Sequence, residues 1–268
     1  MRTPITYFTS LYLLFVVACN QQQPPQVTYT INLDEKLSDQ PVDGRIMLLI
    51  SSNDAAEPRF QISDDPGTQL VYGMDVEGMA SGTPIVFDNE SFGYPLEHLS
   101  DLPEGDYYVQ ALLHVYETFH LATGQTVKLP MDNGEGQHWN TSPGNFYSVP
   151  QKVHIKPGAK IDIHMTEVIP PIEPATDSKY IKHVKIKSEK LSKFWGRDMY
   201  LGAHVLLPEG FDEHPEAHYP LIIFHGHFPR DFGGFRTEPP DANMEPDYSE
   251  RFHLAGYNKI QQQEAYDF

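Results

Sequence analysis

The chain is poor in cysteine, in positive charge and in long apolar runs. Cys19 is the one cysteine among 268 residues, so no disulfide can form within the chain. Lysine and arginine total 19 against 37 aspartates and glutamates, a formal net charge of −18. A surface that acidic repels polyphosphates, which on bulk charge sets nucleic acid and anionic lipid aside as partners. No apolar run reaches the roughly 20 residues that cross a bilayer as a helix. No 3.6-residue apolar period is sustained over several turns either, which argues against a helical bundle.

What the chain has is turn formers and aromatics. There are 23 prolines, 19 glycines, 15 tyrosines and 15 phenylalanines, with 40% hydrophobic residues overall. That composition can build a packed core, and it favours strands joined by turns.

The N-terminus reads as an address. Arg2 precedes an apolar run from Leu11 to Ala18 that is too short to span a membrane and fits the core of a signal peptide. The run ends Val16-Val17-Ala18-Cys19, and polarity jumps at once to Asn20-Gln21-Gln22-Gln23-Pro24-Pro25. This resembles a bacterial lipobox, with Val16 standing where leucine is commonest. The resemblance implies that residues 1–19 carry the lipoprotein signal, that Cys19 is acylated, and that residues 20–26 are a flexible tether. Each buried CH₂ of a lipid chain contributes about 0.8 kcal/mol, so a multiply acylated Cys19 would be a stable anchor. The expected location is the bacterial cell envelope, on the outer membrane or facing the periplasm.

Period-two alternation predicts strands at Val27–Leu33, Gly44–Ile50, Thr83–Phe87 and Gly105–Tyr116. A closing hairpin is expected from Gln151–Ile155 and Lys160–Met165 around Pro157-Gly158. Short strands between Gly, Pro and Asp turns predict an immunoglobulin-like β-sandwich over residues 27–167. Pro170, Pro171 and Pro174 stiffen residues 168–178 into a linker. Beyond it, Tyr180–Lys187 and Arg197–Pro208 alternate as a hairpin, with 188–196 as its turn. Leu221-Ile222-Ile223-Phe224 is a continuous apolar strand, as expected for one buried on both faces. Ser249–Tyr266 is a candidate helix, strongest over Lys259–Ala265.

The block Gly196–Phe211, with its Leu207-Pro208-Glu209-Gly210-Phe211 signature, and the run Tyr219-Pro220-Leu221-Ile222-Ile223-Phe224-His225-Gly226-His227 resemble the esterase D and feruloyl-esterase-like branch of α/β-hydrolases. The whole layout is similar to that of secreted esterase-like lipoproteins of Bacteroidota. By this resemblance the fold class is mixed: a β-sandwich, then the first strands of an α/β-hydrolase over residues 179–268. The resemblance makes His225, Gly226, His227 and Phe228 an oxyanion loop. No Gly-x-Ser-x-Gly elbow occurs in the 268 residues, so no serine, acid or base can be assigned. The chain then counts as the N-terminal part of such an enzyme, and alone it is expected to be inactive.

In residue terms, Gly226 lets the backbone approach a substrate closely, and the N–H of His227 or Phe228 can meet a developing oxyanion. Acylated polysaccharide is the substrate class implied, and a glycan- or protein-binding sandwich without catalysis is the alternative. His225-x-His227 with Asp231 has the spacing of a metal site at a strand end. Pro229 and Arg230 interrupt that pattern, so neither metal nor cofactor is expected. His114, His120, His154, His164 and His183 fall on strand patterns as surface or inter-strand residues. Trp139 and Trp195 are expected to pack rather than to stack on sugars. The sequons at Asn89 and Asn140 carry no expected function.

Overall fold

Alternating apolar residues need a second layer to cover them, and here one curled sheet supplies both layers. The computed structural model describes residues 26–132, 136–224, 232 and 235–267. It is mostly β, with 38% strand and 11% helix. Ten strands form the main sheet: β1 (Thr28–Leu33), β2 (Val42–Ser51), β3 (Leu70–Met79), β4 (Ile85–Phe87), β5 (Gly93–Tyr94), β6 (Gly105–His120), β7 (Thr126–Leu129), β8 (Phe146–Ser148), β9 (Gln151–Ile155) and β10 (Lys160–Val168). The order is β4-β1-β10-β8-β6-β2-β3-β5, with β7 and β9 also on β6. Only the β1–β10 pair is parallel.

β6 organises the sheet because its 16 residues outrun any single neighbour. Residues 105–109 pair with β9, 108–116 with β2, 112–113 with β8 and 117–120 with β7. The concave side buries Tyr29, Ile31 and Leu33 of β1 against Ile46, Leu48 and Ile50 of β2. Val109, Ala111 and Leu113 of β6 and Ile161, Ile163 and Met165 of β10 complete that core. Met47, Leu49 and Leu112 point the other way into a smaller cluster with Ile169. The unbroken run Ile46–Ile50 is therefore apolar because it is covered on both faces.

The expected strands of the first segment all form. Four strands, β3, β5, β7 and β8, are not among those expected from the sequence. In β3, Gly73, Asp75, Glu77 and Gly78 interrupt the apolar signal, yet the strand pairs with β2 along nearly its whole length.

After the linker come β11 (Ile181–Lys187), α1 (Glu189–Trp195) and β12 (Tyr200–Leu206). The expected hairpin forms, with His183 directly opposite His204. Residues 188–196, expected as a turn, instead hold α1. Ser188 caps it by accepting from the Leu191 N–H, and Gly196 ends it in the left-handed region at φ 68°. A small hairpin, β13 (Tyr248–Ser249) with β14 (Leu254–Ala255), precedes α2 (Tyr257–Asp267). The expected helix is thus confined to the end of its candidate segment. Gly256 at φ 71° stands just before it.

Candidate functional site

The run singled out in the sequence enters the site from β12. Leu207-Pro208-Glu209-Gly210-Phe211 leaves the hairpin and turns at Gly210, φ 73°. Phe211 stacks at a tilt on Tyr219, ring centres 5.5 Å apart. Beside this turn lies a shallow hollow of about 30 Å³, lined by Lys179, Tyr180, Pro208, Phe211 and Glu213 among others. The Lys179 ammonium sits 4.9 Å from the Tyr180 ring centre. A hydrogen bond to the Tyr180 side chain, with a smaller pull from the Glu209 and Glu213 carboxylates, holds the Lys179 ammonium above its ordinary range.

The expected strand Leu221–Phe224 is corrected by the structure. These four residues have irregular backbone and are 81, 90, 79 and 79% exposed. The cause is the lack of neighbours: a strand this short exists only as part of a ladder, and among the described residues no segment pairs with it. His225, Gly226, His227 and Phe228 lie outside the described residues, as do Pro229, Arg230, Asp231 and Cys19. The described part of the following loop is tied down. Phe235 meets the Tyr180 ring edge-on at 5.6 Å, and the Arg236 N–H donates to the Ala265 carbonyl on α2 at 3.3 Å. Asp247 and Asn258 exchange hydrogen bonds of 3.2 and 2.8 Å.

Among the remaining histidines, His120 and His154 make inter-strand contacts. His154 shares a 2.7 Å contact with Asp106 across the β6–β9 pair, and this holds the Asp106 carboxyl below its usual range. His120 bonds Thr126 at 3.0 Å. His114 packs edge-on with Tyr116. His183 bonds Asp177. Among the described residues no group of three His, Cys, Asp or Glu side chains is arranged to hold a metal ion. No described helix is long and apolar enough to cross a membrane.

Both tryptophans pack, as expected. Trp139 lies against the Met47–Leu49–Leu112 cluster, and Trp195 meets Phe119 edge-on at 5.3 Å. Asn140 is occupied by a 3.2 Å bond to the Arg59 carbonyl, so its sequon is engaged in the fold.

Sequence reasoning missed a buried polar network on the convex side. The Arg59 guanidinium lies between the Phe60 and Tyr147 rings, 4.5 and 4.1 Å from their centres. It also donates to Glu57 at 2.8 Å and to the Asn140 carbonyl at 3.1 Å. Gln110, fully buried on β6, donates to Glu57 and to the Ser148 carbonyl, and accepts from the Arg59 N–H. A lone arginine between turn residues gives no periodic signal. Only the register of β6 reveals that Gln110 stands beneath it.

A second missed feature is aromatic. A Cβ at Gly93 would lie 2.2 Å from the Tyr72 ring, so Gly93 faces inward. Alternation then sends Tyr94 of the edge strand β5 and Phe92 just before it outward, 51 and 65% exposed. No family model matches the chain, and no curated protein or solved structure matches it either.

Proposed function

We propose that this chain supplies the oxyanion-stabilising side of a lipid-anchored serine esterase acting on carbohydrate or other carboxylic esters. One observation carries the proposal. An apolar run follows a two-stranded hairpin, enters His225-Gly226, and is left 79–90% exposed over Leu221–Phe224. Residues of that kind are stable in a parallel sheet that covers both faces. At the end of such a strand, the backbone N–H of His227 or Phe228 is placed to donate to the oxygen that becomes negative when a serine attacks an ester carbonyl. Gly226 supplies the close backbone approach.

In this reading the curled sheet is an immunoglobulin-like sandwich standing between the acylated Cys19 and the hydrolase segment at the bacterial envelope. No Gly-x-Ser-x-Gly elbow occurs among these 268 residues, so this reading assigns no nucleophile, base or orienting acid to them. The 268-residue chain is expected to turn over no nitrophenyl ester. Sequencing the full-length gene tests the reading, which requires a Gly-x-Ser-x-Gly elbow there. Turnover by the 268-residue chain that a serine-reactive phosphonate abolishes would overturn the division of labour proposed here. A full-length gene without a nucleophile elbow would overturn the esterase reading altogether.

A second reading is a surface lipoprotein whose β-sandwich binds glycan, and the exposed pair Phe92 and Tyr94 favours it. Flat aromatic faces at an edge strand suit the apolar face of a sugar ring, and truncating one such ring costs about 1 kcal/mol or more of binding. Calorimetry of the chain against a polysaccharide panel is expected to show a ligand whose affinity falls at least about fivefold in Phe92→Ala or Tyr94→Ala. Silence across the panel returns the pair to plain surface.

A further inference from the structure

The β11–β12 hairpin brings two imidazoles together outside the region already discussed. His183 and His204 are directly opposite in the antiparallel register, with ring centres 4.7 Å apart and planes at 74°. Two imidazoles that bind one ion through nitrogens at about 2.0–2.1 Å hold their ring centres roughly 4.5–6.5 Å apart, depending on the angle at the ion. The observed spacing meets that condition.

Two further observations bear on what the pair could bind. The Nδ1 atom of His204 is buried and has no hydrogen-bond partner. An unsatisfied buried polar atom costs about 1–3 kcal/mol unless something occupies it. His183 in turn is held from behind. Its Nδ1 lies 3.2 Å from Asp177 Oδ1, and its backbone N–H donates to the same oxygen at 2.8 Å. A carboxylate on Nδ1 fixes the tautomer whose Nε2 carries the free lone pair, which is the arrangement that supports metal-bound histidine. The cation two residues along, Lys185, is held 4.7 Å over the Tyr200 ring centre.

We propose that His183 and His204 form a two-imidazole site for a divalent transition metal of the zinc–copper–nickel class, with Asp177 positioning His183. Imidazole ligands select this class over magnesium or calcium. These two side chains supply two of the ion's coordination positions. It clips β11 to β12 and, through Asp177, to the end of the linker. The proposal does not depend on ester chemistry.

The test is calorimetric titration of Zn²⁺ into the full chain at neutral pH, with circular dichroism to confirm folding of each variant. One saturable site is expected. It should be lost in His183→Gln and in His204→Gln, and weakened about 10–100-fold in Asp177→Asn. It should persist in His154→Gln and in the double variant His225→Gln/His227→Gln. Asp177 is exposed, so its variant reports even if a histidine variant fails to fold. A flat titration of the unaltered chain overturns the proposal. So does a site that survives His204→Gln or that disappears with His225 and His227.

Discussion

Tyr29 and Tyr72 are fully buried, yet neither hydroxyl has a hydrogen-bond partner. Burial raises both phenols, Tyr72 to about 12 and Tyr29 further still. The sign of the linkage follows. Above the ordinary tyrosine range the unfolded chain has lost these protons while the folded chain keeps them, so folding stability falls as pH rises. Between about pH 10 and pH 12, each tyrosine removes up to about 1.4 kcal/mol of unfolding free energy per pH unit. Denaturant melts across that window should show the loss, and it should shrink in Tyr29→Phe and Tyr72→Phe. At neutral pH both variants should match the parent or exceed it by up to about 1 kcal/mol, because no hydrogen bond is lost. The inward direction of Tyr29 was legible, since Val27–Leu33 alternates. Its lack of a partner was not, because that depends on which side chains of other strands meet it across the sheet.

The helix α1 shows the same division between local and distant information. Its signals stand in the sequence: Ser188 at the cap, Glu189 in the first turn, Gly196 at the end. At seven residues it is too short to show a period, and alone it would be marginal. It is held by docking on the β6–β7 hairpin. The Ala122 N–H donates to the Phe194 carbonyl at 2.8 Å, and Trp195 meets Phe119. Arg197 bonds Glu117 and covers the Phe119 ring. Gly196 closes the contact, for a Cβ there would stand 2.6 Å from the His120 carbonyl oxygen, and φ is 68°. Gly196→Ala should therefore cost at least about 1–2 kcal/mol of docking energy. The expected readout is faster proteolytic cleavage in the exposed linker 170–178 with an unchanged β-sheet spectrum. Unaltered cleavage would mean that the contact does not restrain the two segments. The run Leu221–Phe224 is the reverse case. Its apolar character predicted a strand, and the backbone there is irregular because a ladder needs a second segment that composition cannot supply.

Burial is distributed unevenly over the molecule. Every buried residue among those described lies at or before Ile169, and none of the described residues from 170 to 267 is buried. The curled sheet carries the core; the hairpin segment carries exposed apolar side chains such as Ile186 and Leu201, 58 and 54% exposed. Cooperative stability follows apolar burial, so the two parts should separate under native-state hydrogen exchange. Amides of β2 and β6 are expected to exchange at the rate set by global unfolding. Amides of residues 179–224 are expected to exchange orders of magnitude faster, with Leu221–Phe224 fastest. The contrast also bears on the esterase proposal. If Leu221–Phe224 is a sheet strand awaiting neighbours, the same four amides should become as slow as β2 in a longer product of the gene that holds the elbow. If they stay fast there, the run is surface in every state, and the amide beyond Gly226 has no rigid strand to aim it.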